Sequence, residues 1–491
     1  MSKLPQISLA RLVSLDFLIR NGRQLENRIF QFLGSFFGSF FPKKERKQQE
    51  ALRTNHVYLV GSGKMKRIIS FFLLPVFVSI LAILLFFMAA LIPQEAIQEN
   101  VEISTNQLLS HFQWEDVFNK GDPTYKMDIC TDSMILLQAY NMNTDDSSSI
   151  FKNPKHISKE ADWNVALALK EVVFDGAENE ENYSRYWMGF RFVIRPLLLF
   201  ANYYTIRKTV AACFFILLFL CVGLIGKRFG IKGMLCFGIP MTLMNPAVIS
   251  HSLQFTCDFN LAFLFMLFVL LTDCKKISIP ILFCSFGLLT QLFDFYSTPL
   301  ITYGLPLLLI LAMDEYTDKR WRTALAAMGA WSYGYAFMWI CKMACTTIFT
   351  DANGFREAFG SFAYRIGIDI GNESKEIYDP IRALNLVYNN IFIDKPGNTI
   401  FFLLVIVTVI AIVISFLTRT KKEALSLGCF LFIGVLPLVW FAVAAQPTVI
   451  HYWFQYRTVI VTFVSLFVYL TYAFSKSKDL LNRKKCKENQ C

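Results

Sequence analysis

Between Ile68 and Ile92 the chain runs for 25 residues without one charged side chain. A helix of that length crosses the ~30 Å hydrocarbon core of a bilayer. The pattern recurs at Val210–Gly226, Met234–Ser250, Leu253–Thr272, Ile277–Phe293, Leu300–Met313, Thr323–Phe349, Thr399–Leu417, Ala424–Ala445 and Thr458–Phe474. Unpaired backbone groups are costly in lipid, so spanning segments close their hydrogen bonds internally, and continuous apolar runs of this kind do so as helices. The expected fold class is an all-α polytopic membrane protein with about ten transmembrane helices. A hydrophobic content of 55% agrees with it.

Basic residues give these runs a direction. Lys64, Lys66 and Arg67 precede the first, and Lys227-Arg228, Lys275-Lys276, Lys319 with Arg320 and Arg322, Arg419 with Lys421 and Lys422, and Arg483-Lys484-Lys485 fall at alternate connections. Cytoplasmic connections carry the excess of Lys and Arg, so both termini are expected in the cytoplasm of a multi-pass cell-membrane protein. The net charge of +11 is thereby assigned to span ends. No recognition module for nucleic acid accompanies it.

Five regions follow. Residues 1–67 hold 13 Lys and Arg against 4 Asp and Glu, and are expected to be a cytoplasmic region with an interfacial helix at Ile29–Phe41. Within it Val60-Gly61-Ser62-Gly63-Lys64 distantly evokes a phosphate loop, but Tyr58 stands where that pattern needs its first glycine, so a flexible basic linker is expected. Residues 68–93 form the first span. Residues 94–208 are a long polar segment with 17 Asp and Glu against 11 Lys and Arg, read as a mixed, mainly helical extracytoplasmic loop domain. A transmembrane bundle with a second outer loop at 350–398 fills 209–475, and 476–491 is a basic cytoplasmic tail. Of 12 cysteines only Cys130 falls in the long outer segment, which gives that segment no disulfide framework.

The candidate chemistry gathers in and around the loop domain. Asp128 and Asp132 are four residues apart, on one face of a helix, where like charges repel unless a proton, a cation or an arginine intervenes. They are candidates for a general base; equally, one of Asp128, Thr131 or Asp132 caps the helix that continues to Leu137. Arg191 and Arg195 repeat the spacing in an apolar run ending near Pro196 and are placed at the membrane interface, where they meet either a substrate phosphate or ordinary headgroups. Arg185 and Arg207 bracket this stretch as weaker candidates. Asp294, in the Pro-closed turn Phe293-Asp294-Phe295-Tyr296-Ser297-Thr298-Pro299, orients a sugar hydroxyl, pairs with an arginine, or caps the next span; Asp258 has the same readings, with the structural one favoured. The last outer turn, Gln446 to Arg457, packs His451, Tyr452, Trp453, Phe454, Tyr456 and Arg457 together, as a site gripping a sugar and a phosphate does. In the second outer loop Arg356, Arg365 and Asp369 are further substrate contacts or solvated charges. Five scattered histidines offer no metal-ligand spacing, so no metal site is expected beyond a divalent cation shared by the two acids.

From about residue 68 onward the chain resembles a family of polytopic membrane proteins of Gram-positive bacteria held to have the GT-C glycosyltransferase architecture. The likeness rests on Asp128 through Met134, on Tyr183 through Leu198, on Phe293 through Pro306 with Asp294, Thr298, Pro299, Gly304 and Pro306, and on His451 through Arg457. It departs at Met188, where a histidine is expected, and at Gln446-Pro447-Thr448, where Asn-His-Ser is more usual; both departures point to a changed acceptor or a lost activity. The resemblance implies transfer of a sugar from a polyprenyl-phosphate donor to an envelope glycan, teichoic acid or lipid acceptor. Asp128 or Asp132 would then act as base, and Arg191, Arg195, His451 and Arg457 would surround the departing phosphate. The alternatives are a transporter or lipid flippase, against which stands the scarcity of charge in the span centres with Lys342 as chief exception, and a non-catalytic subunit of an envelope-polysaccharide assembly machine.

Overall fold

In a computed structural model, every one of the ten apolar runs falls on helix. The structure describes residues 50–488 except 367–378 and positions 119, 145, 147, 162, 163, 180, 275, 296, 393 and 394. Ile29–Phe41 and Asp369 lie outside the described residues. The chain divides into two units, Met1–Lys66 and Arg67–Cys491. Val60–Lys64 belongs to the helix α1 (Glu50–Ala90), so its glycines form neither a phosphate-cradling loop nor the flexible linker expected.

The second unit is an all-α polytopic membrane protein. Among the described residues, six helices are long and apolar enough to cross a bilayer, or seven when one pair bent by 111° is counted as a single span. They are Ile68–Ala90 of α1, α6 (Tyr203–Leu243), α7 (Leu253–Leu271), α13 (Lys395–Thr418, apolar from Gly397), α14 (Lys421–Val443) and the apolar part of Ala445–Ser475, which continues into α15 (Ile460–Glu488). The bent pair joins α9 (Leu300–Ala312) to the segment holding α10 (Arg320–Phe349). Two expected spans are short: α8 (Ile279–Phe293) has 15 residues and α9 has 13. At 1.5 Å per residue they reach roughly 20–23 Å, less than the hydrocarbon core. α9 is apolar because it is enclosed by protein, with 11 buried residues from Ile301 to Leu311. In α6 the two expected runs are separated at Gly230, whose backbone is non-helical at φ 70° and ψ −171°, so that α6 is two helical limbs meeting at a kink close to Lys227 and Arg228.

The closest helix packing joins α8 and α10 through reciprocal glycines. A Cβ on Gly287 would fall 2.1 Å from the Trp331 carbonyl oxygen, and one on Gly334 would fall 2.2 Å from that of Cys284. Lipid offers apolar side chains no hydrophobic reason to associate, so membrane helices gain from close backbone contact at small residues.

The Gln94–Lys208 domain sits at the end of the bundle where α7 begins. Its helices are α2 (Gln94–Leu109), α3 (Ile129–Tyr140), α4 (Val165–Phe174) and α5 (Arg191–Leu197), with a two-stranded antiparallel pairing of Pro154 with Asn182 and Lys155 with Glu181. Ile97, Val101, Ile135, Leu136, Leu169 and Ile194 form its core. Basic residues collect at the opposite end of the bundle. There Arg228 donates to Leu270 O and Met313 Sδ, Arg419 donates to Tyr472 O, and Lys422 lies 3.7 Å from Asp318.

Candidate functional site

Asp128 is the N-cap of α3: its carboxylate accepts from Thr131 N at 2.9 Å and Thr131 Oγ1 at 2.7 Å. Asp132, one turn later, reaches out of the domain. It accepts from Tyr203 Oη at 2.7 Å, Ser252 Oγ at 3.1 Å, Leu253 N at 3.0 Å and Gln254 N at 3.3 Å. Ser252 is the N-cap of α7 but its own side chain makes no capping bond. The carboxylate from α3 therefore supplies that cap, where the partial positive charge of the helix end favours it. Both acids are buried. Burial raises the Asp128 carboxyl to about 7, against its bonds from Thr131, with a smaller push from Asp132. Burial raises Asp132 to about 6, opposed mainly by the Tyr203 hydrogen bond. Among the described residues no group of three His, Cys, Asp or Glu comes together to hold a metal ion.

The arginines expected at a phosphate are also buried, and backbone carbonyls surround them. Arg195 donates to Ala139 O and Tyr140 O at the C-terminal end of α3, at 2.5 and 3.0 Å, and to Ile92 O at 2.6 Å. It is the C-terminal counterpart of Asp128 on the same helix. Arg191 donates to Ile150 O at 2.8 Å and lies over the Phe86 ring, 4.9 Å from its centroid. Arg457 ties the last turn to two other segments, through Met244 O at 3.0 Å and Thr124 O at 2.9 Å, with its guanidinium stacked near Phe255 and Tyr456. These three join segments distant in sequence. Tyr452 is half-buried and offers its carbonyl to Asn390 Nδ2 at 2.8 Å. Met188, at the position expected to be histidine, is buried with φ 54°, a left-handed backbone rare for a non-glycine residue.

A space that can take a ligand lies elsewhere, in a cavity of about 360 Å³ at the domain end of the bundle. α10 contributes Tyr335, Ala336 and Trp339 to its wall; α11 (Gly354–Arg365) contributes Phe359, Ser361, Phe362 and Arg365; α14 contributes Trp440 and Val443, and Arg185 and Pro447 complete it. Its charged groups are two guanidiniums, both close to the Tyr186 ring. Arg185 lies 4.4 Å from the Tyr183 ring centroid and 5.6 Å from that of Tyr186, and donates to Ser361 Oγ at 3.3 Å. Arg365 donates to Tyr186 Oη. Burial by itself pushes the Tyr186 phenol up, but Arg365 and then Arg185 more than offset this and hold it below its ordinary range. His451 lies within electrostatic range of Arg365. Phe359, Phe362 and Val443 are each half-exposed, so the cavity rim is continuous with the apolar flank of the bundle.

Asp294 stands one residue behind this wall. Its carboxyl accepts from Tyr335 Oη at 3.1 Å and from Ser297 N at 2.8 Å. Of the expected site residues, the structure therefore draws Asp294 and His451 toward the cavity and leaves Asp128, Asp132, Arg191, Arg195 and Arg457 as internal ties. Two weaker candidates, Arg185 and Arg365, become its cations, while Arg356 is exposed. Tyr335, Trp339 and Trp440 escaped notice in the sequence because aromatic residues on an apolar helix look the same whether they face lipid or a ligand. Spacing alone offered one signal: Tyr335 and Trp339 are four apart, on one helical face.

Compared with family models, with curated proteins and with solved structures, the chain shows no match.

Proposed function

We propose that this protein is a membrane glycosyltransferase of GT-C-like architecture. It moves a sugar from a polyprenyl-phosphate carrier to an envelope glycan, teichoic acid or lipid acceptor on the outer face of the cell membrane. The observation that carries this reading is the cavity of about 360 Å³ that sets Arg185 and Arg365 among aromatic walls beside the lipid-facing flank. Two guanidiniums suit a phosphate, since planar donor pairs match its oxygens and remain charged at any physiological pH. Aromatic faces suit a sugar and an isoprenoid chain. As the bond between the sugar and the carrier breaks, the leaving phosphate takes the electron pair, and fixed guanidiniums stabilise that charge. In this reading the chain makes ten passes, counting both limbs of kinked α6 and α8, α9 and α10 separately. The basic bundle end then faces the cytoplasm, together with both termini, and the Gln94–Lys208 domain lies outside.

One observation favours a transporter or flippase instead: Asp258 and Lys342 are buried charged residues on membrane helices. Lys342, however, donates to Phe151 O at 2.7 Å, where α10 meets the loop domain, and lines no path. The deciding assay uses purified protein in liposomes with a labelled polyprenyl-phosphate sugar and candidate acceptors. Release of carrier phosphate with transfer of label supports the enzyme. Exchange of intact lipid between leaflets supports the transporter, and neither activity supports a non-catalytic assembly subunit.

A further inference from the structure

Asp258 lies five residues into α7, roughly 8 Å along the helix, and Asp294 ends α8, the helix that meets it antiparallel. Their carboxyls lie within hydrogen-bonding reach of each other. Both side chains are 3% exposed. The surrounding donors are already committed. Asp258 Oδ2 takes Thr298 N at 3.1 Å and Thr298 Oγ1 at 2.7 Å; Asp294 Oδ1 takes Ser297 N, and Asp294 Oδ2 takes Tyr335 Oη. Among the described residues, Asp258 Oδ1 receives no other donor. Two carboxylates in contact repel strongly in so dry a place, whereas a carboxylic acid beside a carboxylate forms a short, strong hydrogen bond. Among the described residues, the titratable groups facing the pair include Cys257 on α7 and Tyr335 on α10. Tyr335 is also part of the cavity wall.

From this geometry we infer that Asp258 and Asp294 hold one proton between them, and that through Tyr335 the pair accepts the proton of a hydroxyl bound in the cavity. The inference rests on the transferase reading and names the base which that reaction needs, in place of Asp128 and Asp132. The acceptor hydroxyl gives its proton to Tyr335 Oη as Tyr335 passes its own to Asp294 Oδ2. The freed oxygen forms the new bond to the sugar carbon, and the bond from that carbon to the carrier phosphate breaks with its electrons leaving on the phosphate. The pair ends with two protons and later returns one to water. Tyr335 is the residue that touches the acceptor; Asp294 and Asp258 are positioning residues acting through it.

Two measurements on the intact protein in liposomes test this. Infrared spectroscopy at alkaline pH, above the range in which Asp128 and Asp132 are protonated, reads the shared proton without any substrate: a protonated-carboxyl band is expected in the wild type and lost in both Asp258→Asn and Asp294→Asn. The second measurement follows carrier phosphate released from labelled polyprenyl-phosphate hexoses. Tyr335→Phe and Asp294→Asn should lower release to hydroxyl acceptors by about 10²- to 10⁴-fold, the usual worth of a positioned base. Sodium azide attacks without losing a proton, so it should restore release in both variants, which a structural defect would not allow. Absence of the band, full activity in the variants, or folded variants that azide fails to restore would each overturn the inference. A wild type that shows the band but releases no carrier would overturn the transferase reading and the acceptor role with it, the shared proton being established separately by the band.

Discussion

The Asp132 carboxylate receives the backbone N–H of Leu253 at 3.0 Å, so that an acid of the loop domain closes the N-terminus of a membrane helix 121 residues later in the chain. Replacing it by alanine strands two backbone N–H groups and the hydroxyls of Tyr203 and Ser252 in a buried site. Each unsatisfied buried group costs about 1–3 kcal/mol. Asp132→Ala should therefore destabilise the protein by about 3 kcal/mol or more, with Asp132→Asn between it and the wild type. Thermal unfolding in detergent measures this, and an unchanged midpoint for the alanine variant would remove the capping role.

Asp128 gives stability a pH dependence whose sign follows from its environment. Its carboxyl is raised from 3.8 to about 7 in the folded protein, so between those values the folded state binds more protons than the unfolded one. This contribution is full below about pH 4, falls as pH rises toward 7, and is absent above that. Asparagine caps a helix as well as aspartate does. Asp128→Asn should thus gain on the wild type by on the order of 2–4 kcal/mol between pH 4 and pH 8. Parallel pH profiles for the two proteins would refute the assignment.

Arginine-to-lysine changes should separate the cavity from the internal ties. At Arg185 and Arg365 lysine keeps the charge but loses the planar donor pair, and turnover in the liposome assay should fall about tenfold to a hundredfold, as expected for hydrogen bonds to charged groups worth roughly 1.5–3 kcal/mol. Arg457→Lys cannot span Met244 O and Thr124 O, so its loss should appear in the unfolding temperature and the yield of folded protein. Equal turnover losses at all three positions, with stability unchanged, would place Arg457 back at the substrate.

Gly287→Ala and Gly334→Ala test the helix pair behind Tyr335. A methyl group 2.1 Å from the Trp331 carbonyl forces α8 and α10 apart. Overpacking of this kind costs about 1–3 kcal/mol. Because α8 ends at Asp294 and α10 carries Tyr335, either substitution should also weaken carrier release. Gly329→Ala, with open space at its Cβ, should do neither.

Class and order were readable from residues alone. Apolar runs mark helices because lipid and protein interior both exclude unpaired backbone groups, and the alternation of basic connections predicted that Arg228, Arg419 and Lys422 would meet at one bundle end. Hydropathy could not tell burial in lipid from burial in protein, so α8 and α9 read as ordinary spans although they are short and α9 is enclosed. Local spacing left Asp128 open between cap and base, and it is the cap. For Asp132, Arg191, Arg195 and Arg457 the deciding partners are carbonyls and helix ends contributed by distant segments, and no spacing rule records them. Arg185 and Arg365, 180 residues apart in the chain, share a cavity because tertiary folding brings both to Tyr186. Charge that looks functional in sequence becomes structural once tertiary contacts satisfy it, and the charge left lining a space is what a ligand meets.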